Sequence, residues 1–283
     1  MEKEYKKSKL VSTICWVIAV TLSIFAAAAS VTPFIFMILN SFKERFELLT
    51  NGVFSIPEKI DFTNYTEVLT GTFSRYFINS VFAVSVALFL LLLISAFASY
   101  PLARFRFKLN GIIFSVIVAC MSIPIHITLI PVFKMSKSMG MYDSIWALIG
   151  PYVAMGIPVS VFILTSFMRQ IPREIEEAAS IDGCGKYRMF FVIIFPMAKP
   201  GLSTLAIYNG VGMWNEFMFA YTLTQSQKNS TLPLAIWQYQ SQYSRDTPMI
   251  MTVLTLTVLP MIILYIFAQD KLVKGMTAGA VKG

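Results

Sequence analysis

Long uncharged runs decide what this chain can fold into. Five of them reach the length of about 20 residues that an α-helix needs to cross a bilayer. They are Leu10 to Phe42, Tyr76 to Ala103, Leu109 to Phe133, Ser144 to Met168 and Thr247 to Gln269. A sixth run, Pro200 to Gln227, is interrupted by Glu216 alone. With 56% hydrophobic and 13% charged residues, the chain has the composition of an integral membrane protein.

Lysine and arginine are distributed unevenly among the segments between these runs. If the amino terminus is cytoplasmic, the inner segments hold 15 and the outer segments 8 of the 23 basic residues. Because basic residues concentrate in cytoplasmic loops, both termini and the segment 169–199 are predicted to lie in the cytoplasm. The net charge of +8 then reflects attraction to anionic lipid and requires no nucleic acid. We expect a multi-pass protein of the cell membrane with a tail at 1–9, a transmembrane domain at 10–270 and a tail at 271–283.

The longest strongly polar interval between two apolar runs begins at Ile171. Pro172 suits the first position of a helix, and Gly183 supplies a natural stop. Acidic residues follow the proline, where the helix dipole favours them. This pattern predicts a helix of about ten residues, which is too short to persist alone in water.

One face of that helix is predicted to dock on a partner. The residues that share it at helical spacing are Ile175, Ala178, Ala179 and Asp182. Two alanines in this set let a partner backbone approach closely. The carboxylates of Glu174, Glu176 and Glu177 are expected to stay free for basic partners.

The segment also carries a family pattern. Glu177-Ala178-Ala179, then Gly183, then Ile193-x-Phe195-Pro196 resemble the EAA loop of ATP-binding-cassette (ABC) importer permeases. Phe195 stands where the family usually has leucine, and we expect it to alter packing only. The resemblance implies an all-α membrane fold of the type I importer permeases, with about six transmembrane helices and a cytoplasmic coupling loop at 169–199. The ATPase-coupling residues that it implies are Glu174, Glu176, Glu177, Ala178, Ala179, Asp182, Gly183 and Pro196.

A second resemblance, to the sugar-importing branch of that family, runs from Met139 to Arg169 and from Ala198 to Phe217. Trp214-Asn215-Glu216-Phe217 is similar to a motif in the fifth helix of maltose-type permeases. Because a carboxylate is costly in a membrane, Glu216 either lines the solute pathway with Trp214 and Asn215 or has a structural hydrogen-bonding role.

Aromatic and amide side chains alternate in the predicted outer loop before the last run, at Trp237, Gln238, Tyr239 and Gln240. Aromatic rings stack on sugar rings, and amides bond hydroxyl groups. In relatives the corresponding loop meets the extracytoplasmic binding protein. These four residues are therefore candidates for contact with that protein or its sugar, and an aromatic belt at the membrane interface is an alternative of equal weight.

The end of the chain resembles the tail of maltose-type permeases that reaches into the paired ATPases. The residues that this resemblance implicates are Gly275, Thr277, Gly279 and Lys282. The glycines lie four apart, but no long apolar run surrounds them, so a flexible tail is expected and not a membrane dimerisation face.

Prolines and glycines predict bends in two of the apolar runs. Pro124 and Pro131 interrupt the third run, and Gly150-Pro151 and Gly156-Ile157-Pro158 interrupt the fourth. Each proline lacks a backbone N–H and leaves a carbonyl unpaired. We expect irregular helices around a pathway in both runs.

The sequence lacks the motifs of nucleotide, metal and catalytic sites. It has no Gly-x-x-x-x-Gly-Lys-Ser/Thr phosphate loop, so ATP and Mg are expected on separate ATPase subunits and no cofactor on this chain. Cys15, Cys120 and Cys184 lack metal-ligand spacing, and His126 is the sole histidine. No metal site and no catalytic residue is predicted. Ala26 to Ser30 imitates a signal-peptidase site, but an uncleaved first helix is favoured.

We therefore interpret the chain as a non-enzymatic permease subunit of an ATP-driven carbohydrate importer, with oligosaccharides as the expected cargo. The resemblance implies a second permease, two ATPase subunits and an extracytoplasmic sugar-binding protein as partners. The main alternative is an ion-coupled secondary transporter, which would show inverted repeats with broken helices at matching places. A membrane scaffold without transport is a third possibility.

Overall fold

A computed structural model describes the backbone of residues 2–242 and 246–280, and the side chains of residues 12–241, 246–267 and 269. Over that part the chain is all-helical and has no strand, as predicted. The α-helices are α1 Glu2–Ser41, α2 Arg45–Asn51, α3 Thr63–Thr70, α4 Phe73–Arg104, α5 Asn110–Ala119, α6 Leu129–Ser138, α7 Ile149–Arg169, α8 Arg173–Ile181, α9 Lys186–Met189, α10 Phe195–Met197, α11 Lys199–Trp214, α12 Met218–Leu223, α13 Leu232–Gln242 and α14 Thr247–Ala280. Short 3-10 segments occupy Cys120–Ser122, Ile125–Thr128, Ile145–Leu148 and Gln227–Asn229, and a π-helical turn occupies Phe190–Ile194.

Four stretches among the described residues are long and apolar enough to cross a membrane. They are Ser12–Ser41, Phe73–Arg104, Ile145–Arg169 and Thr247–Phe267. Two bent pairs pass the same test: Asn110–Ser122 with Ile125–Ser138, bent by 91°, and Lys186–Met197 with Lys199–Trp214, bent by 68°. If each bent pair is one span, the described part has six, which confirms the predicted fold class.

The chain forms two compact units. Unit 1 comprises Met1–Gly71 and Tyr239–Val258, and unit 2 comprises Thr72–Gln238 and Leu259–Gly283. In unit 1 the side chain of Lys43 is fully buried and donates to the Asn40 side-chain oxygen at 3.0 Å and the Gly52 carbonyl at 3.2 Å. These bonds tie the end of α1 to the segment after α2. The short helices α2 and α3 lie between the first two spans.

The core of unit 2 forms where α4 packs along α7. Small residues of α4 line this contact, and Ala83, Ala87, Ser95, Ala96 and Ser99 have an exposed fraction of zero. The Ser99 hydroxyl donates to the Val161 carbonyl of α7 at 3.3 Å. Small side chains allow two helix backbones to approach closely in a membrane, so this face serves bundle packing.

The predicted bend in the third run is present at Pro124. Ile123, the residue before the proline, is extended with ψ 118°, and the chain turns by 91° there. Proline disfavours the helical conformation of the residue before it, which explains the break. Pro131 causes no break because it lies in the first turn of α6, where its missing N–H has no helical partner to lose.

The two interruptions predicted in the fourth run, at Gly150-Pro151 and Gly156-Ile157-Pro158, do not break α7, which continues from Ile149 to Arg169. Gly156 serves a different purpose. A Cβ atom there would lie 2.4 Å from a Leu91 methyl group and 2.7 Å from the Asn209 side-chain oxygen. Asn209 also donates to the Ser160 hydroxyl at 3.1 Å. The glycine therefore allows α4, α7 and α11 to meet.

Gly156→Ala should destabilise the protein, because both neighbours are held in place and the added methyl overpacks the contact. We expect a loss of about 1–3 kcal/mol, measured by the unfolding temperature of the purified protein in detergent. Gly150→Ala in the same helix is the control, since a Cβ there meets nothing within 4 Å. Equal unfolding temperatures for the two variants would contradict the packing role of Gly156.

Candidate functional site

The short polar helix predicted in the segment 169–199 is present as α8, Arg173–Ile181. Pro172 is its N-cap, one position before the predicted place, and Gly183 follows the C-cap with φ +77°. The N–H of Gly183 donates to the Ser180 carbonyl at 3.1 Å, and the N–H of Cys184 donates to the Ala179 carbonyl at 2.9 Å. This is a Schellman cap, which requires a left-handed residue and so favours glycine.

Arg104, the last residue of α4, holds α8 in place. Its side chain is 3% exposed, and its guanidinium pairs with the carboxylate of Glu176 in α8. It also donates to the carbonyls of Met168 at 3.1 Å, Ile171 at 2.9 Å and Pro172 at 3.4 Å. We call this set of bonds the Arg104 clamp. It joins the ends of α4 and α7 to α8 through one side chain.

The clamp corrects one prediction about α8. Glu176 is not free for a basic partner, because Arg104 of the same chain already binds it. Ile175 and Ala179 are half-buried against the apolar cluster around Met168 and Phe190. Part of the face predicted for a partner therefore points toward the chain itself.

The opposite side of α8 is exposed and forms what we call the coupling face. Its members are Glu174, Glu177, Ala178, Ile181 and Asp182, with Tyr187 of α9 beside them in sequence. Ile181 is 86% exposed and Tyr187 is 85% exposed. Large apolar side chains set among charges are typical of a protein-binding surface. The sequence prediction missed Ile181, although it lies four positions after Glu177 on the same helical face.

The segment after α8 returns to the apolar core. Pro196 lies in α10 and is half-buried, and the chain bends by 68° between Met197 and Lys199. The ring of Phe195 lies 5.7 Å from the ring of Phe190. The departure from leucine at this position is therefore taken up by aromatic packing, as expected.

The Trp214-Asn215-Glu216 motif has structural contacts within unit 2. Glu216 is 7% exposed, and its carboxylate accepts the backbone N–H groups of Phe219 at 2.8 Å and Ala220 at 3.2 Å. It thereby satisfies free N–H groups at the start of α12. Trp214 is buried, whereas Asn215 is exposed and bonds the Val211 carbonyl. These contacts favour the hydrogen-bonding alternative for Glu216.

The segment predicted as an outer loop contains the helix α13, and Pro233 lies in its first turn, where proline is tolerated. In unit 2, Trp237 is 55% exposed, while Gln238 accepts from the Tyr76 hydroxyl at 3.0 Å and donates to the Ser230 hydroxyl at 3.3 Å.

In unit 1, Tyr239 is half-buried and Gln240 is exposed. Their predicted contact with a binding protein or sugar stays a prediction, as it does for Trp237 and Gln238.

The predicted tail continues the last helix. α14 runs through Gly275, Thr277 and Gly279 to Ala280, so the expectation of a flexible segment is wrong up to that residue. Lys282 lies outside the described residues. Contact of these four residues with ATPases stays a prediction.

Asp143 forms a polar connection that sequence reasoning missed. It has a φ of +56°, and its carboxylate accepts the N–H groups of Gln225 at 2.9 Å and Ser226 at 2.8 Å. The Ser226 hydroxyl donates at 2.9 Å, and the Asn229 amide also contributes. Burial opposes ionisation, but these hydrogen bonds outweigh it and lower the pKa of Asp143 to about 2. Asp143 thus joins the α6–α7 connection to the segment after α12.

The arrangement defines a class of protein. Several helices are long and apolar enough to cross a membrane, and a short exposed helix is fixed to the ends of two of them, as in a multi-pass membrane permease. Residues 92–278 match the model of the family described as the binding-protein-dependent transport system inner membrane component. The chain belongs to this family.

Individual relatives agree with this assignment. The chain is 51% identical over 251 residues to a protein of Caldicellulosiruptor sp. (strain Rt8B.4) that is named as an ABC transporter permease, with 89% of this chain and 91% of the relative covered. It is 33% identical over 252 residues to the diacetylchitobiose uptake system permease protein NgcG of Streptomyces coelicolor, with 88% and 83% covered.

A solved structure shows the same fold. A chain of a bacterial ABC transporter involved in the import of the acidic polysaccharide alginate superposes with a TM-score of 0.78 at 21% identity. The alignment covers 90% of this chain and 94% of that chain. The chain therefore has the fold of an ABC importer permease, as the sequence predicted.

Arg104→Gln should release α8, because removing one partner of a buried ion pair costs about 3–5 kcal/mol. We expect trypsin to cut at Lys186 and Arg188 about tenfold faster or more in the variant, since proteolysis follows the open population. Arg106→Gln is the control, because this exposed side chain has no hydrogen bond or ion pair in the described part of the chain. Equal cutting rates for both variants would argue against the clamp.

The low pKa of Asp143 makes a definite contribution to acid stability. The folded pKa lies below the ordinary value of 3.8, so the ionised group stabilises the fold above about pH 4. This contribution is lost as the pH falls from about 4 to about 2. The difference in unfolding temperature between wild type and Asp143→Asn should therefore shrink over this range. Glu44→Gln, at an exposed carboxylate without a side-chain hydrogen bond in the described part, should show no such trend.

Proposed function

We propose that this chain is the permease subunit of an ATP-driven carbohydrate importer and that oligosaccharides are its cargo. The coupling face carries the proposal, because it exposes acidic and apolar side chains on a helix fixed to the ends of two spans. One relative is named as a diacetylchitobiose uptake permease, and a transporter of the same fold imports alginate, which supports carbohydrate as the class of cargo. The chain forms half of the solute pathway, and a second permease forms the other half.

The energy comes from partner subunits. Two ATPases bind ATP and Mg and dock on the coupling face, where Ile181 and Tyr187 supply apolar contact and Glu174, Glu177 and Asp182 attract basic groups. The tail with Gly275, Thr277, Gly279 and Lys282 gives the ATPases a second contact. This chain catalyses no reaction and binds no cofactor. ATP drives transport only by favouring one conformation of the assembly over another.

The membrane orientation follows from this arrangement. Both termini and the coupling loop 169–199 face the cytoplasm, which the excess of basic residues in those segments supports. An extracytoplasmic sugar-binding protein meets the opposite side, where the exposed Trp237 and Gln240 are available to it. Trp214 and Asn215 stay candidates for the pathway, while Glu216 acts mainly as the cap of α12.

Reconstitution of the whole importer tests this function. Liposomes that contain this chain with its partner permease and ATPases should take up labelled oligosaccharide when ATP and the binding protein are supplied. Ile181→Glu places a charge in the apolar part of the coupling face. It should reduce both ATPase co-purification and uptake by about tenfold or more, which corresponds to about 1.4 kcal/mol.

Ile56→Glu is a matched control, because Ile56 is 77% exposed in a segment of unit 1 that the proposal places outside the cell. This variant should retain the ATPases. Uptake driven by a proton gradient without ATP would instead indicate a secondary transporter. Normal ATPase binding and uptake by the Ile181 variant would show that the coupling face is misassigned.

A further inference from the structure

A basic pocket lies between the Arg104 clamp and the start of α5. It has a volume of about 560 Å³ and is lined by residues 102–108 together with Asn110, Arg169 and Arg173. Its lining contains five basic residues, Arg104, Arg106, Lys108, Arg169 and Arg173, and no carboxylate. The pocket therefore has the size of a small-molecule site and the charge of an anion site.

Two of the five basic side chains already have partners. Arg104 forms the clamp, and Arg169 donates to the Leu102 carbonyl at 3.4 Å while its guanidinium lies 5.3 Å from the Phe114 ring. Arg106, Lys108 and Arg173 are exposed and have no hydrogen bond or ion pair in the described part of the chain. Three uncompensated charges around one cavity repel one another, and an anion between them would relieve that repulsion.

The backbone of the pocket is fixed in advance. The Asn110 side-chain amide donates to the Leu102 carbonyl at 3.2 Å and to the Phe105 carbonyl at 2.8 Å. The Arg169 bond to Leu102 holds the same segment from α7. Arg106 and Lys108 therefore project from a loop that is held at both ends, which reduces the ordering cost of binding an anion, and Arg173 faces the same pocket from the start of α8.

The surroundings of the pocket suit an amphipathic anion. The spans Phe73–Arg104 and Ile145–Arg169 end at its lining, and Asn110–Ser122 begins there, so it lies at headgroup level in a membrane. No residue of α5 is buried, and Ile112 and Val116 are 61% and 60% exposed. An apolar helix surface thus begins directly beside the cationic pocket.

We propose that this pocket binds the phosphate-bearing headgroup of an anionic phospholipid, with its acyl chains along α5. Basic pockets between transmembrane helices are suited to such headgroups. Because Arg104 is both a wall of the pocket and the centre of the clamp, a bound lipid would contact the residue that fixes α8. The proposal requires a membrane protein but does not depend on what is transported.

Native mass spectrometry of the full chain in mild detergent tests the lipid site. Phosphatidylglycerol and phosphatidylcholine are titrated separately into wild type and into the double variant Arg106→Gln, Lys108→Gln. Each cation near an anionic headgroup contributes about fivefold in affinity. We expect the variant to bind its first phosphatidylglycerol about 25-fold more weakly and phosphatidylcholine unchanged.

The control is Arg45→Gln with Lys59→Gln, which removes two exposed cations outside the pocket and should leave phosphatidylglycerol affinity unchanged. Equal affinity in the pocket variant would overturn the proposal. Displacement of phosphatidylglycerol by millimolar inorganic phosphate would also overturn it, because the site would then take free anions. Normal lipid binding with loss of ATPase co-purification would make the pocket a protein interface. The lipid titration and the uptake assay with the Ile181 variant use different variants and different readouts, so either proposal can fail without the other.

Discussion

The buried guanidinium of Arg104 is the interaction on which the coupling segment depends. A helix of nine residues is marginal in water, so contacts with other parts of the chain must hold α8 in place. Arg104 bonds the end of α7, the turn before α8 and Glu176 within α8. Because a guanidinium is planar and directs its donors rigidly, these bonds fix the angle at which α8 leaves α7. Displacement of α8 is therefore transmitted to the ends of α4 and α7.

The two connections of α8 differ in physical character. On its amino-terminal side the Arg104 clamp uses directional bonds, which break if the parts shift by an ångström. On its carboxyl-terminal side the chain enters the π-helical turn Phe190–Ile194, whose rings pack on Phe97 at 4.9 Å and Tyr100 at 5.3 Å. Aromatic contacts tolerate sliding better than charged hydrogen bonds, and π turns recur at functional sites. Within unit 2, directional bonds thus join the start of α8 to α4 and α7, whereas the segment after α8 packs on α4 through aromatic rings.

The sequence predicted those features whose cause is local. Uncharged length predicted the spans, Gly183 predicted the stop of α8, and Pro124 predicted the bend, because each acts on its own backbone. Two of the errors concern partners that are distant in sequence. Glu176 was expected to be free, but its partner lies 72 residues away. Gly156 suggested a break, but it permits contact with other helices, and no pattern within α7 distinguishes these roles. Tertiary contacts decide such cases.

Three carboxylates of this chain hold its fold together, and this bears on whether ATP or a proton gradient drives transport. Glu176 holds α8, Glu216 caps α12, and Asp143 holds the segment 225–229, and each accepts bonds from groups of this chain. A proton-coupled carrier needs a membrane carboxylate that gains and loses its proton during transport. Protonation of Glu216 would weaken its acceptance of two backbone N–H groups and loosen the start of α12. Glu216, the carboxylate that interrupts the sixth apolar run, thus holds the fold and is poorly suited to gain and lose a proton during transport. This favours ATP-driven transport, with the ATPases acting through α8, over a proton-coupled carrier.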